Sequence, residues 1–204
     1  RAAYYTRQQG KKQDILVNLQ VTDPRGSSSH QLLAIHLTGT NYNPTLHSIN
    51  AQRGNEGDPK IQGQLTATDP DTGVQLSCSL VSGQSLPDGF AINPDGSWSF
   101  DPSHPAYNHL QQGKNQDILV NLQVTDPHGS SSQQLLTIHL TGTNDNPTLN
   151  SINAQRVNEG DPQIQGHLTA TDPDTIDQLS FSLVSALSLP DGFAINPDGS
   201  WSFD

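Results

Sequence analysis

A chain of 204 residues carrying 9 lysines and arginines against 20 acids, for a formal charge of −11, excludes a nucleic-acid partner, because phosphates are met by clustered cations. With 31% hydrophobic residues, 5% aromatic and no methionine there is too little material for one deep core, while 17 glycines and 14 prolines punctuate many short elements, the profile of small all-β domains. Cys78 stands alone, so no internal disulfide forms, and no run approaches the ~18 apolar residues that membrane insertion needs.

Taken in order, Gln13–Val21 (QDILVNLQV) alternates apolar and polar residues, which sets Ile15, Val17, Leu19 and Val21 on one face of a strand. TDPRGSSS at 22–29 is a turn, and Leu33, Ile35 and Leu37 alternate again, so the two runs predict a hairpin. LTGTNYNP at 37–44 follows as a short polar joint. Beyond it come an extended lead-in with Leu46 and Ile49, an acidic turn at 55–59, and a strand with Ile61, Gly63, Leu65 and Ala67 on one face. After the turn TDPDTG at 68–73, Leu76, Cys78 and Leu80 mark another strand and Phe90 and Ile92 a short one. NPDG at 93–96 then turns into Trp98 and Phe100 as a second hairpin. QDILVNLQV and QLLTIHL recur at 116–124 and 134–140, and a second joint, LTGTNDNP, runs from Leu140 to Pro147. About seven strands in about 100 residues predict a Greek-key β-sandwich.

Residues 1–101 laid on 104–204 match without a gap at an offset of 103, with 19 differences. That period is too long for a solenoid unit and suits a string of beads, each with its own core. The expected division is the C-terminal part of a module at 1–43, a complete module at 44–147, and the N-terminal part of a third at 148–204. The chain has no starting methionine or signal segment and is expected to be a fragment of something longer. In sequence terms the two end pieces sum to one module, and unpaired strand edges invite addition, so head-to-tail pairing of neighbouring molecules is an expectation.

Asn144, Asp145 and Asn146 put three oxygen-bearing side chains in a row at the second joint, and hard oxygens suit calcium. Simple solubility is the other reading of the acidity. Asp69 with Asp71, and Asp172 with Asp174, are pairs spaced to face one ion; each also sits in an Asp-Pro turn, where aspartate bonds its own backbone. Asp88, Asp95, Asp191 and Asp198 read as plain turn formers. Glu56, Glu159, Asp23 and Asp126 are balanced between turn and ligand. His36 and His139 share a repeat position on a polar strand face and read as surface residues, and no zinc spacing appears. Trp98 and Trp201 read as core. No GxSxG, HExxH, P-loop or dinucleotide fingerprint occurs, and no enzyme activity is expected.

The phrases ATDPD (170–174), LPDGFAINPDGSWSFDPS (from Leu86), VTDPHG (124–129) and GTNDNP (142–147) resemble the VCBS and cadherin-like repeats of large bacterial surface adhesins of the RTX type, exported by type I secretion. The resemblance implies tandem cadherin/immunoglobulin-like modules with Ca2+ held between them. Carried over by position, it implies Glu56, Asn144, Asp145, Asn146, Asp172 and Asp174 at the second joint, and Asn41, Asn43, Asp69, Asp71 and Asp126 at the first. Two departures stand out. The linker's leading aspartate is Gly39 or Gly142 here, and the central aspartate of the first joint is Tyr42, so fewer ions per joint and a weaker first joint are expected. The function implied is a calcium-stiffened extender of a secreted, cell-surface adhesin supporting adhesion and biofilm formation, with adjacent modules as partners. A carbohydrate- or protein-binding module acting directly in recognition is the alternative, and an exposed aromatic patch would favour it.

Overall fold

The apolar alternation at either end of each VTDP turn becomes a pair of long strands in the computed structural model, which describes residues 7–174, 177–184 and 190–204. Strands β1 (Lys12–Thr22) and β2 (Ser28–Thr38) pair antiparallel over their whole length, from Lys12 opposite Thr38 to Thr22 opposite Ser28. Asp23 closes their turn, its Oδ1 accepting from the backbone N–H of Arg25 at 2.9 Å and Ser27 at 2.8 Å. Gly26, at φ 92°, takes the left-handed position that a Cβ would strain.

The next repeat supplies β3 (Thr45–Leu46), β4 (Gln52–Asn55), β5 (Ile61–Gln64), β6 (Ala67–Thr68), β7 (Ser77–Leu80), β8 (Phe90–Ile92) and β9 (Ser97–Phe100). A 3-10 turn at Pro105–Tyr107 leads to β10 (Asn115–Thr125) and β11 (Ser131–Thr141). The strands form a four-stranded sheet in the order β4-β11-β10-β7, a three-stranded sheet β5-β9-β8, and the short pair β3-β6. The run expected as one strand from Ile61 to Ala67 is broken at Leu65 and Thr66. There the chain leaves β9 for β3: the Leu65 N–H donates to the Gly96 carbonyl, and the Thr66 carbonyl accepts from His47. The third repeat supplies β12 (Thr148–Leu149), β13 (Ile164–His167), β14 (Ala170–Thr171), β15 (Phe193–Ile195) and β16 (Ser200–Phe203), paired as β12-β14 and β13-β16-β15.

The chain divides into two compact units, Arg1–Gln52 with Lys60–Asp101 and Ile118–Ile138, and Arg53–Pro59 with Pro102–Asp117 and His139–Asp204. In the first, inward residues of β10 and β11 (Val120, Leu122, Val124, Leu136, Ile138) and of β8 and β9 (Phe90, Trp98, Phe100) are buried as the filling of a β-sandwich. Trp98 stacks on Phe90 at 5.9 Å between centroids. Its indole lies on the backbone of Gly63, where a Cβ would stand 2.5 Å from Cε2. Trp98 is therefore core and offers no exposed aromatic platform. Cys78 is buried too, and burial pushes its thiol up from the ordinary value.

In the second unit Tyr107, Leu110 and Leu140 are buried, whereas Trp201 and Phe203 of β16 are only half-buried. Two segments that match β4 and β7 at the repeat offset, 155–158 and 180–183, are not strands. Among the described residues no helix is long and apolar enough to cross a membrane, which says nothing of β-barrels.

Candidate metal centre

Each joint lies inside one compact unit and draws its acids from turns that fold in the same way. At the first joint Asn41 donates from Nδ2 to Asp126 Oδ2 at 2.7 Å and to Ser130 Oγ at 2.8 Å. The next residue, Tyr42, donates its N–H to Asp71 Oδ2 at 2.8 Å, and the N–H of Asp71 donates to Asp69 Oδ1 at 2.7 Å. At the second joint the pattern repeats, with Asp145 N–H on Asp174 Oδ2 at 2.8 Å and Asp174 N–H on Asp172 Oδ1 at 2.9 Å. Here Glu56 joins in. Its Oε2 accepts from the Thr143 N–H at 3.2 Å, and its carboxyl also reaches that of Asp145.

These bonds use one oxygen each of Asp69, Asp71, Glu56 and Asp174, whereas Asp126 accepts at both of its oxygens. Among the described residues Asp69 Oδ2, Asp71 Oδ1 and Asn41 Oδ1 in the first set, and Glu56 Oε1, Asp145 Oδ2 and Asp174 Oδ1 in the second, are buried without a hydrogen-bond partner. Asp71 and Asp174 are 2% exposed and Glu56 6%. A buried carboxylate oxygen without a partner costs about 1–3 kcal/mol or more, so a set of them sharing one place is a net cost that a bound cation would reverse. Hard oxygens in such number fit calcium or another hard divalent ion.

The structure adds Asp177, which sequence reading missed. Asp172, Asp174 and Asp177 offer oxygens within 4.8 Å of one another, and Gln111 holds Asp177 Oδ1 at 3.0 Å. A residue-by-residue comparison of the repeats carries the signal, because the matching position is Val74. Asn144, Asn146 and Asn43 are exposed, and Asn144 Nδ2 donates to the Asp145 carbonyl. The glycine in place of a leading linker aspartate also has a physical cause. A Cβ on Gly142 would run into the carbonyl oxygens of Leu110 and Gln111, and one on Gly39 into that of Gln8. Among the turn aspartates, Asp95 accepts from the Ser97 hydroxyl at 2.6 Å and N–H at 2.9 Å, and Asp198 does the same with Ser200. Those bonds hold both carboxyls below their ordinary value. His36 and His139 lie 2.6 Å from Asp14 and Asp117 on exposed strand faces.

Burial, then the charges of Asp145 and Asp174, raise Glu56 above its ordinary value of 4.5 against the opposing Thr143 N–H. Asp126 goes the other way. Burial would raise it, but the Asn41 amide and the N–H groups of Ser130, His128 and Gly129 outweigh that and leave it lowered. A raised carboxyl stabilises the fold fully below its unfolded value and loses that contribution as pH rises through its folded value; a lowered one loses it on acidification below about 4. In chelator, the melting temperature should therefore climb as pH falls toward the ordinary glutamate value of 4.5, and Glu56→Gln should flatten the slope. A slope unchanged by Glu56→Gln in thermal melts would contradict the crowding of these acids.

The middle repeat, with its paired antiparallel sheets and short crossing strands, is an immunoglobulin-like β-sandwich. Residues 41–139 match the bacterial Ig domain family. No curated protein matches the chain. Among solved structures it is similar to protocadherin gamma C5 EC1-3 (TM-score 0.47, 20% identity, 93% of this chain and 66% of that one). It is also similar to mouse cadherin-23 EC22-24 (0.46, 19%, 90% and 62%) and to the protocadherin gamma B7 extracellular cadherin domains 1-4 (0.43, 14%, 94% and 57%). The chain spans 57%, 50% and 34% of three protocadherin gamma B structures, little more than half at most.

Proposed function

We propose that this chain is a calcium-stiffened extender, with modules at 1–43, 44–147 and 148–204 joined through cation sites, in a secreted or surface-held bacterial adhesin. The observation that carries the reading is the set of buried acid oxygens without partners at both joints. Asn41, Asp69, Asp71 and Asp126 would hold the ion of the first joint, and Glu56, Asp145, Asp172, Asp174 and Asp177 that of the second. Calcium, when bound, supplies the divalent charge that turns mutual repulsion of these acids into cross-bridging. The chain's own residues prepare that state: Tyr42 and Asp145 fix Asp71 and Asp174 through backbone N–H groups, and Thr143 fixes Glu56. Without the ion the acids repel and the joint loosens; with it, segments on either side of each linker are tied together.

Near-identical adjacent repeats favour a spacer, where length is the useful property and no repeat has a private task. The partners implied are neighbouring repeats of the same protein. The burial of Trp98 removes the aromatic surface that direct sugar recognition would use in the complete repeat.

Thermal unfolding with calcium and with chelator tests the reading. Calcium at about a hundred times its dissociation constant contributes about 2.7 kcal/mol. For a chain of this size that is a rise of roughly 5–10 °C. Superimposable curves would remove calcium and leave the fold standing.

A further inference from the structure

In the middle repeat β10 is much longer than the strand that flanks it on the sheet's outer side. Of its eleven residues, Asn115–Thr125, β7 pairs with four, from Leu122 opposite Leu80 to Thr125 opposite Ser77. One more bond follows, from the Val81 N–H to the Asn121 carbonyl at 3.0 Å, and there the chain turns away. Among the described residues no strand lies beside the rest of that edge. The run DILVNLQV carries one charge and neither glycine nor proline, and an uncovered edge in such a run is a template for pairing with another chain.

A side chain fills the place where β7 stops. Gly83, at φ 85°, and a bond from the Gln84 N–H to the Val81 carbonyl at 3.2 Å form a tight turn that brings Gln84 back to the edge. Its Nε2 donates to the Leu119 carbonyl at 3.1 Å, and its Oε1 accepts from the Asn121 N–H at 2.9 Å. An antiparallel neighbour would engage the same two groups with its own N–H and C=O, so one carboxamide stands in for a strand residue. The two bonds run in opposite directions, which fixes the orientation of the amide. Leu119 beside it is 51% exposed. In the following repeat the matching residues are Ala186 and Leu187, so neither the turn glycine nor the carboxamide is demanded by the repeat pattern itself.

We propose that Gln84 is a guard residue: its carboxamide holds the free edge of β10 in place of a strand and so keeps a second copy of this chain from pairing there. A second copy is the fitting occupant, because it brings the same alternating, low-charge run at 116–124 and again at 13–21. An incoming strand has to displace two hydrogen bonds before it forms its own, and the bare edge it would otherwise find is never presented. The device lies within the first compact unit and does not depend on calcium or on the reading of the joints.

Gln84→Leu and Gln84→Glu separate a guard from a brace that only stabilises the repeat. Leucine makes neither bond and leaves the edge open and apolar. Glutamate loses the donor to Leu119 but sets a charge on the edge, which deters pairing by itself. In sedimentation equilibrium of the whole chain, Gln84→Leu should associate about tenfold more tightly than the unaltered chain, the order that two backbone hydrogen bonds supply, and Gln84→Glu no more tightly. The Asn121 amide of Gln84→Leu should exchange freely when dilute and regain protection as concentration rises. Circular dichroism of both dilute variants should match that of the unaltered chain. A Gln84→Leu chain that associates no more tightly than the unaltered one would overturn the proposal, as would two variants that associate alike. So would association of Gln84→Leu that accompanies loss of the dilute fold, or Asn121 protection independent of concentration.

Discussion

Asp174→Asn should raise the melting temperature of the metal-free chain and at the same time abolish the calcium response of the second joint. Asp174 is 2% exposed, one oxygen receives the Asp145 N–H at 2.8 Å, and the other has no partner among the described residues. Asparagine keeps the acceptor and turns the stranded oxygen into a donor beside the Glu56 and Asp145 carboxyls. The gain in chelator should be about 1–3 kcal/mol, the cost of one buried unsatisfied polar group. In calcium the same change removes a charged ligand, and the variant should melt below the unaltered protein. Asp71→Asn should repeat this at the first joint, where Asp71 holds the matching position beneath Tyr42. A sign reversal between chelator and calcium separates a cation site from a merely structural aspartate, whose loss would destabilise in both. Differential scanning calorimetry of the variants in the two buffers reads it directly.

Phe100→Ala should cost about 3–5 kcal/mol, and Phe203→Ala far less, although both sit in the same SWSFD sequence. Phe100 is 0% exposed under the long strands β10 and β11, whereas Phe203 is half-buried and lines the open groove of the third repeat. Truncating Phe100 leaves a cavity that close-packed neighbours cannot fill, while truncating Phe203 removes a ring from a surface that already meets solvent. Urea unfolding of the two variants is the appropriate measurement. Equal losses for the two variants would mean that the third repeat closes its own core.

The strand pattern was legible because period-2 alternation is a local signal. The VTDP hairpins, the NPDG hairpin and the core places of Trp98, Phe100 and Cys78 all follow from it. The break between β5 and β6 was not, because it depends on which partner each half finds, Phe100 opposite Ile61 and Leu46 opposite Ala67. At the site, the i, i+2 aspartate pairs carried a signal in their spacing, whereas Asp177 showed only as a difference from Val74 of the preceding repeat, whose meaning depends on the fold bringing it to Asp172 and Asp174. The glycines of the linkers read as a departure from a ligand pattern; folded, they are the places where Leu110 and Gln8 carbonyls leave no room for a Cβ. Identical residues in the third repeat were equally misleading about burial, because burial belongs to the strands that cover them.

Calorimetric titration of the chelator-treated chain with calcium bears most directly on whether the stranded acids are cation sites. Uptake in the range of about 10⁻⁴ to 10⁻³ M is expected, with Asp71→Asn and Asp174→Asn each removing a separate part of the binding. No ion bound at about 10 mM, or full binding in both variants, would contradict it.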